Sequence, residues 1–369
     1  MDNHNYVDIF QREPRRSTRP SRSAAQHRPS YNENLMAPSI GERDDGDAHA
    51  SVFPCFNFML DAGIHEEFAM LVDRVGLTAY MQDESKQYAM LTKIFAESFT
   101  LHNSTYNASV EFKIYNRPIT MSLARFCEIL GVAMAGTTKK ITDRPADLLE
   151  LYRDVTNDDS RAAQRGKIRN IQLPAIRYFT YYLASSVLAR ENTSNISNYH
   201  LAFLDAALNG STKYNLGALI ARRLQARGPI YCGIIASRMI AALNLPVDPN
   251  DVLLAPQRLD LHSMKLHKFV TADSCVGNLV YRMLFIDNDE RRVPLPQQGL
   301  LSVGRKPWSR SKEELDEQLR ALGFYGQHPG VANDSYNTHY PGAPSGSYQD
   351  DGASSSHYGG GATQWPTWD

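Results

Sequence analysis

The chain has 369 residues, with 39 Lys and Arg against 40 Asp and Glu and a formal net charge of -1. That balance excludes a cationic, histone-like binder, because no global positive field exists to hold a phosphate backbone. Apolar side chains make up 42% and the mean hydropathy is -0.41, which suits a globular body with polar ends.

The four cysteines, Cys55, Cys127, Cys232 and Cys275, are far apart and form no C-x-x-C pair. Neither a structural zinc site nor a disulfide-dense scaffold is indicated. They read as reduced thiols in an intracellular protein. The chain opens Met1-Asp2-Asn3-His4 without an apolar run, so secretion is not expected. The longest apolar stretch, 230–245, is shorter than a membrane span and carries Arg238, so it reads as a buried helix.

Composition divides the chain in three. Residues 1–50 are rich in Arg, Ser, Pro and acids, too polar to offset the entropy of ordering. Within them Arg12, Arg15, Arg16, Arg19, Arg22 and Arg28 face one acid, Glu13, and an acidic block follows at 42–47. These six arginines are the candidate nucleic-acid contact, able to thread along phosphates and order on binding. Residues 326–369 are a Gly, Ser and Tyr-rich tail without Lys or Arg. The body at 51–325 carries the hydrophobic periodicity.

In chain order, Phe68, Leu71, Val72 and Val75 recur at helical spacing, and Tyr88, Leu91, Phe95 and Phe99 do the same. Val110, Phe112 and Ile114 alternate before a turn at 116–118, the signature of a short strand or hairpin. Ser122 and Gly131 bracket the next helix as N-cap and C-cap. A linker at 132–144 leads to a helix begun by Pro145. Four helices with short breaks follow, over 173–190, around Leu201 to Leu208, over 216–224 and over 230–243. Residues 258–295 leave helix and strand unseparated. Ser311-Lys312-Glu313-Glu314 is a capping box, and Gly323 stops its helix. The predicted fold is therefore mainly α, a multi-helix bundle over 51–325 with at most a short β-hairpin and disordered termini. A subdivision of the body is placed near 132–160.

No motif supplies a catalytic, cofactor or metal site. Gly131-x-x-x-x-Gly136 lacks the Lys that must follow the second glycine directly, and a helix precedes it. His65-Glu66-Glu67 has no second His four residues on. Asp287-Asn288-Asp289-Glu290 lacks the glycine and distal glutamate of a calcium loop and reads as a turn. No G-x-S-x-G elbow is present. Arg222-Arg223 and Arg291-Arg292 read as solvated faces.

Five blocks carry a resemblance. They are Ser122-Leu-Ala-Arg-Phe-Cys-Glu-Ile-Leu-Gly-Val132, Ile168-Arg-Asn-Ile-Gln-Leu-Pro-Ala-Ile-Arg-Tyr-Phe179, and Ile196-Ser-Asn-Tyr-His-Leu-Ala-Phe-Leu-Asp-Ala-Ala-Leu-Asn-Gly210. Tyr214-Asn-Leu-Gly-Ala-Leu-Ile-Ala-Arg-Arg-Leu224 and the stretch 228–245 complete them. In pattern and order they resemble the first-open-reading-frame protein of plant Athila-type Ty3/gypsy retrotransposons, with the plant mobile domain a related likeness. The resemblance implies a transposon-derived helical protein with no established catalytic activity and no catalytic residues to carry over. The expected function is a non-enzymatic structural or interaction protein that self-associates and contacts RNA or DNA through its N-terminal arm. A regulatory nucleic-acid binder made from a domesticated transposon domain is the alternative, and an enzyme of unrecognised type the remote one. No cofactor, small-molecule ligand or membrane partner is expected.

Overall fold

The computed structural model describes residues 50–324 except 83–85, 103–107, 160–165, 189–193, 227–231, 273, 275–278 and 305. The described residues all fall within one compact unit.

Strand β1 (Val52–Pro54) leads into α1 (Phe56–Asp61) and α2 (His65–Arg74), which buries the predicted stripe of Phe68, Leu71 and Val72. Then come α3 (Thr78–Gln82), β2 (Gln87–Tyr88) and α4 (Ala89–Ser98). A three-stranded antiparallel sheet follows, β3 (Thr100–His102), β4 (Ser109–Ile114) and β5 (Arg117–Ser122), with β4 in the middle. On β4, Val110, Phe112 and Ile114 turn inward as their alternation requires, and Phe112 packs against Phe95 and Phe99. The β4–β5 turn places Tyr115 at φ 51. Pro118 sits on the outer strand, where its missing N–H costs the ladder least.

Helix α5 (Leu123–Leu130) starts and stops as its sequence predicts. The Ser122 side chain accepts the Arg125 N–H, and Gly131 closes it in the left-handed region at φ 80. Helix α6 (Ala146–Thr156), a 3-10 turn at Ile168–Asn170 and α7 (Pro174–Tyr182) follow; α7 runs on into a π-helical turn at Leu183–Val187. Next are α8 (Asn198–Asn209), α9 (Leu216–Gln225) and α10 (Gly233–Leu243). The ambiguous 258–295 stretch resolves into both element types. After β6 (Leu253–Leu254) come β7 (Gln257–Leu259) and α11 (Leu261–Leu266), then the hairpin of β8 (Val280–Leu284) and β9 (Glu290–Pro294). Helices α12 (Gln298–Leu301) and α13 (Lys312–Ala321) finish the described chain, and Ser311 and Glu314 form the predicted capping box.

The expectation of a mainly α bundle with at most one hairpin does not hold. About 49% of the described residues are helical and 16% are strand, in four small sheets. Two of those sheets are pairs that sequence periodicity cannot announce. Strand β1 pairs in parallel with β7, Val52 against Gln257, and β2 pairs with β6, Gln87 against Leu254. Strands of two or three residues carry no readable period, and their partners lie far along the chain.

Helix α7 is buried on every face, all nine of its residues included. A surface helix buries one stripe, so complete burial makes α7 the axis of the core. Tyr178 stacks on Phe58 and meets Phe68 and Phe269 edge-on. Its hydroxyl donates to Leu259 O and accepts the Cys55 N–H, both at 2.9 Å, and so ties the residue after β1 to the end of β7.

The helix also carries a buried cation. Arg177 is 0% exposed. Its guanidinium donates to the carbonyls of Lys268 (2.7 Å), Arg282 (2.8 Å) and His267 (3.3 Å). It stands over the rings of Phe269, Tyr281 and Tyr181, 5.3, 5.5 and 5.9 Å from their centroids. Among the described residues no carboxylate pairs with it, so carbonyl dipoles and π-faces offset the desolvation.

A second long-range tie caps α4. Tyr88 provides no side-chain cap. Asp251, 8% exposed, instead accepts the N–H groups of Met90 (2.8 Å) and Leu91 (2.9 Å) and the Tyr115 hydroxyl (3.1 Å). A carboxylate at this end also complements the helix dipole.

Replacing Arg177 by Leu leaves the carbonyls of Lys268 and Arg282 without that donor, while His267 O keeps the Tyr181 hydroxyl at 3.2 Å. At ~1–3 kcal/mol per unsatisfied group, the variant should lose at least about 2 kcal/mol in urea unfolding followed by far-ultraviolet circular dichroism. Arg177→Lys, whose point charge cannot fork to all three carbonyls, should fall between Leu and wild type.

Candidate functional site

The residues that resemble catalytic or metal motifs are engaged elsewhere. His65 stands edge-on to Phe56, with centroids 4.8 Å apart, and burial, opposed by Glu66, lowers its pKa. Glu67 accepts the Ser302 hydroxyl and the Val303 N–H, both at 2.8 Å, and so ties α2 to the chain after α12.

The acids of 287–290 are counter-ions. Lys312 bonds Asp287 and lies 3.2 Å from Asp289; Arg291 reaches Asp289 at 2.9 Å. Arg291 also forks onto Asp316 of α13 at 2.6 and 2.9 Å, and Arg282 holds Glu290 at 3.0 Å. The hydrogen bond from Lys312 is the first reason that Asp287 titrates below the usual carboxylate range. Among the described residues, no group of three or more His, Cys, Asp or Glu could hold a metal ion. Arg291 therefore docks α13 onto β9, where a solvated face was expected.

Arg222 and Arg223 also differ from that expectation. Arg222 donates to Thr138 O, and Arg223 Nε to Leu188 O at 3.1 Å. Arg238 Nε donates to Ile129 O near the end of α5, and Arg74 Nη1 to Ala207 O near the end of α8. Each of these last two places a cation where a helix macrodipole is negative. Cys127 and Cys232 are buried, which pushes their thiols up to about 11 and about 12. They are protonated at neutral pH and poor nucleophiles. Cys275 and the six arginines of the arm, Arg12, Arg15, Arg16, Arg19, Arg22 and Arg28, lie outside the described residues.

A surface cleft lies beside the linker at 132–144. Both glycines of the P-loop-like motif have packing work there. Gly131 caps α5, and a Cβ on Gly136 (φ 86) would lie 2.4 Å from Thr212 O. That close approach lets the linker join the chain before α9. Thr137 N–H donates to Lys213 O at 2.9 Å, and Asn215 N–H to Thr137 O at 3.1 Å. The result is a cavity of about 280 Å³ whose walls include Thr137, Lys139, Lys140, Ile141, Asp143, Pro145 and Tyr214.

The cleft is mainly apolar, with a few donors at its walls. Lys139 and Lys140 are exposed, and among the described residues no ion pair engages either. Lys213 pairs with Asp147 at 2.7 Å and lies over the Tyr214 ring, 5.3 Å from its centroid. Tyr214 is 7% exposed, and its hydroxyl proton has no acceptor among the described residues. Burial, with Asp147 nearby, raises its pKa against the pull of Lys213. Sequence reasoning met Lys139 only as a misplaced Walker lysine. Nothing local to 213–214 signalled that this segment would face it.

Residues 46–218 match a family model described as the ATHILA ORF-1 family. Over that stretch the chain is similar to the first-open-reading-frame proteins of Athila-type retrotransposons. The match supports a plant retrotransposon origin for this region. No curated protein and no solved structure matches it. The matched region contains the resembling blocks at 122–132, 168–179 and 196–210 and ends inside the block at 214–224. It also takes in α1 to α4, which the resemblance by blocks did not reach. The cleft, with Lys139, Lys140 and Tyr214, lies within the Athila region. Among the described residues, no helix is long and apolar enough to cross a membrane.

Two histidines set a pH dependence. His267 stacks on Tyr181, 4.6 Å between centroids, and burial, aided by Arg177, lowers its pKa; His65 is lowered too. In the unfolded chain both take up protons near pH ~6.5, while in the folded protein burial defers that uptake to lower pH. Stability is therefore lost as pH falls below that value. The urea midpoint should drop between about pH 7.5 and 5.5, and His267→Phe, which keeps the stack, should flatten the drop. An unchanged slope in the variant would remove His267 from the account.

Proposed function

We propose that the chain is a non-catalytic structural protein of its retrotransposon, which associates with copies of itself and contacts RNA through the arginines at 12–28. The observation that carries this reading is how the body spends its reactive groups. Its buried thiols are held protonated, its 287–290 acids neutralise Lys312, Arg291 and Arg282, and its buried arginine serves three carbonyls. Such an interior suits a scaffold whose work is done by its surface and its ends. The adjacent Val252 and Leu253, 68% and 53% exposed, add apolar surface for a like partner. The arm supplies six arginines against Glu13.

Light scattering after size exclusion tests the assembly half. Larger species should appear as concentration rises and on addition of single-stranded RNA. A strict monomer under both conditions would remove self-association. The arm is tested by deleting residues 1–30, which should weaken RNA binding and flatten its dependence on salt, by about 0.7 in log–log slope per lost phosphate contact. Equal binding with and without the arm would make the arm inert.

A further inference from the structure

We infer that the cleft between residues 137–145 and Tyr214 is a phosphate-group site, filled by a phosphodiester of an RNA strand or by free inorganic phosphate. For the strand as source, it rests on the RNA reading above.

The argument starts from what the cleft lacks. The Tyr214 hydroxyl is buried, and its proton finds no acceptor among the described residues. The nearest cation, the ammonium of Lys213, can only donate. Lys139 and Lys140 stand at the same cleft, exposed, with no ion pair among the described residues. Three donors of this kind call for an acceptor-rich anion. A phosphate group presents several strong acceptor oxygens, so one group satisfies the tyrosine and a lysine together.

Charge points the same way. Among the lining residues, Lys139 and Lys140 against Asp143 leave two minus one, or +1, which matches the single charge of a phosphodiester. The volume of about 280 Å³ has room for on the order of nine waters, enough for a phosphate with its sugar. The walls are also held in place. Thr137 is bonded on both sides to the 213–215 segment, and Arg222 clamps Thr138 O from α9. A site whose backbone is fixed before binding loses less entropy when the ligand arrives.

The experiment uses the full chain and two probes. One is a fluorescein-labelled oligouridine followed by anisotropy over a salt series; the other is inorganic phosphate followed by calorimetry. The variants are Lys139→Ala with Lys140→Ala, Tyr214→Phe, and deletion of residues 1–30. The double lysine variant should weaken RNA binding at least ten-fold at low salt. Its salt slope should fall by about 1.4, two contacts at about 0.7 each. Tyr214→Phe should weaken binding several-fold with the slope unchanged, since it removes a neutral donor. These effects should persist without the arm. The lysines are exposed, so the double variant remains folded and decisive even if Tyr214→Phe does not.

If the lysine variant binds both probes as wild type while arm deletion abolishes RNA binding, the site is refuted and the RNA reading stands. If phosphate alone binds, and the variants lose it, the site stands with free phosphate as its ligand and the RNA reading fails. If the full chain binds neither probe, both fail.

Discussion

The fold hangs on a charge placed where charge is least tolerated. Arg177 sits mid-way along the most buried helix, and its guanidinium is anchored by carbonyls from 267, 268 and 282. Neither side is stable alone. Without the 267–282 segment, Arg177 would be a bare cation in the core; without Arg177, the carbonyls of Lys268 and Arg282 would lose their side-chain donor. Helix α7 and the 267–282 segment are therefore obligatory partners. The same segment presents Phe269 and Tyr281 to the guanidinium plane, so ring packing and charge solvation are satisfied by a single arrangement.

Other arginines follow a related logic. Arg74, Arg222, Arg223 and Arg238 reach main-chain carbonyls 35 to 133 residues away. A cation aimed at a carbonyl is less exposed to accidental pairing than a cation that needs one particular carboxylate. It also fixes where one element ends relative to another. A cluster of ion pairs sits at the 282–316 corner, and there they do a different task. Arg291 forks onto Asp316 and docks a helix whose own buried side chains are only Leu315 and Leu319. Geometry of that kind is worth more than a loose surface pair.

What the sequence made legible was local. Ser122 and Gly131 bounded α5, Ser311 and Glu314 began α13, and the alternation of Val110, Phe112 and Ile114 marked β4. Each of these signals lies within a few residues of the structure it creates. The pairing of β1 with β7 joins residues some two hundred apart, and the cap on α4 comes from Asp251. No periodicity contains such information, so the chain read as a bundle. The candidate site failed for the same reason. Lys139 and Lys140 could be seen, but the tyrosine that faces them comes from a segment brought in by the Thr137 and Lys213 backbones.

A division of labour between inside and outside follows. In the interior and at the 282–316 corner, Arg177, Arg291 and Lys312 are committed to partners within the chain. Those cations cannot bind another molecule without undoing the fold, since removing one leaves buried carbonyls or crowded acids behind. Lys139 and Lys140 carry no such obligation. They sit on a linker whose main chain is pinned but whose side chains are not, so that recruiting them disturbs no element of the core. Cations on a fixed backbone, beside a buried donor still lacking an acceptor, are what a body built around its own charges has left to offer a partner.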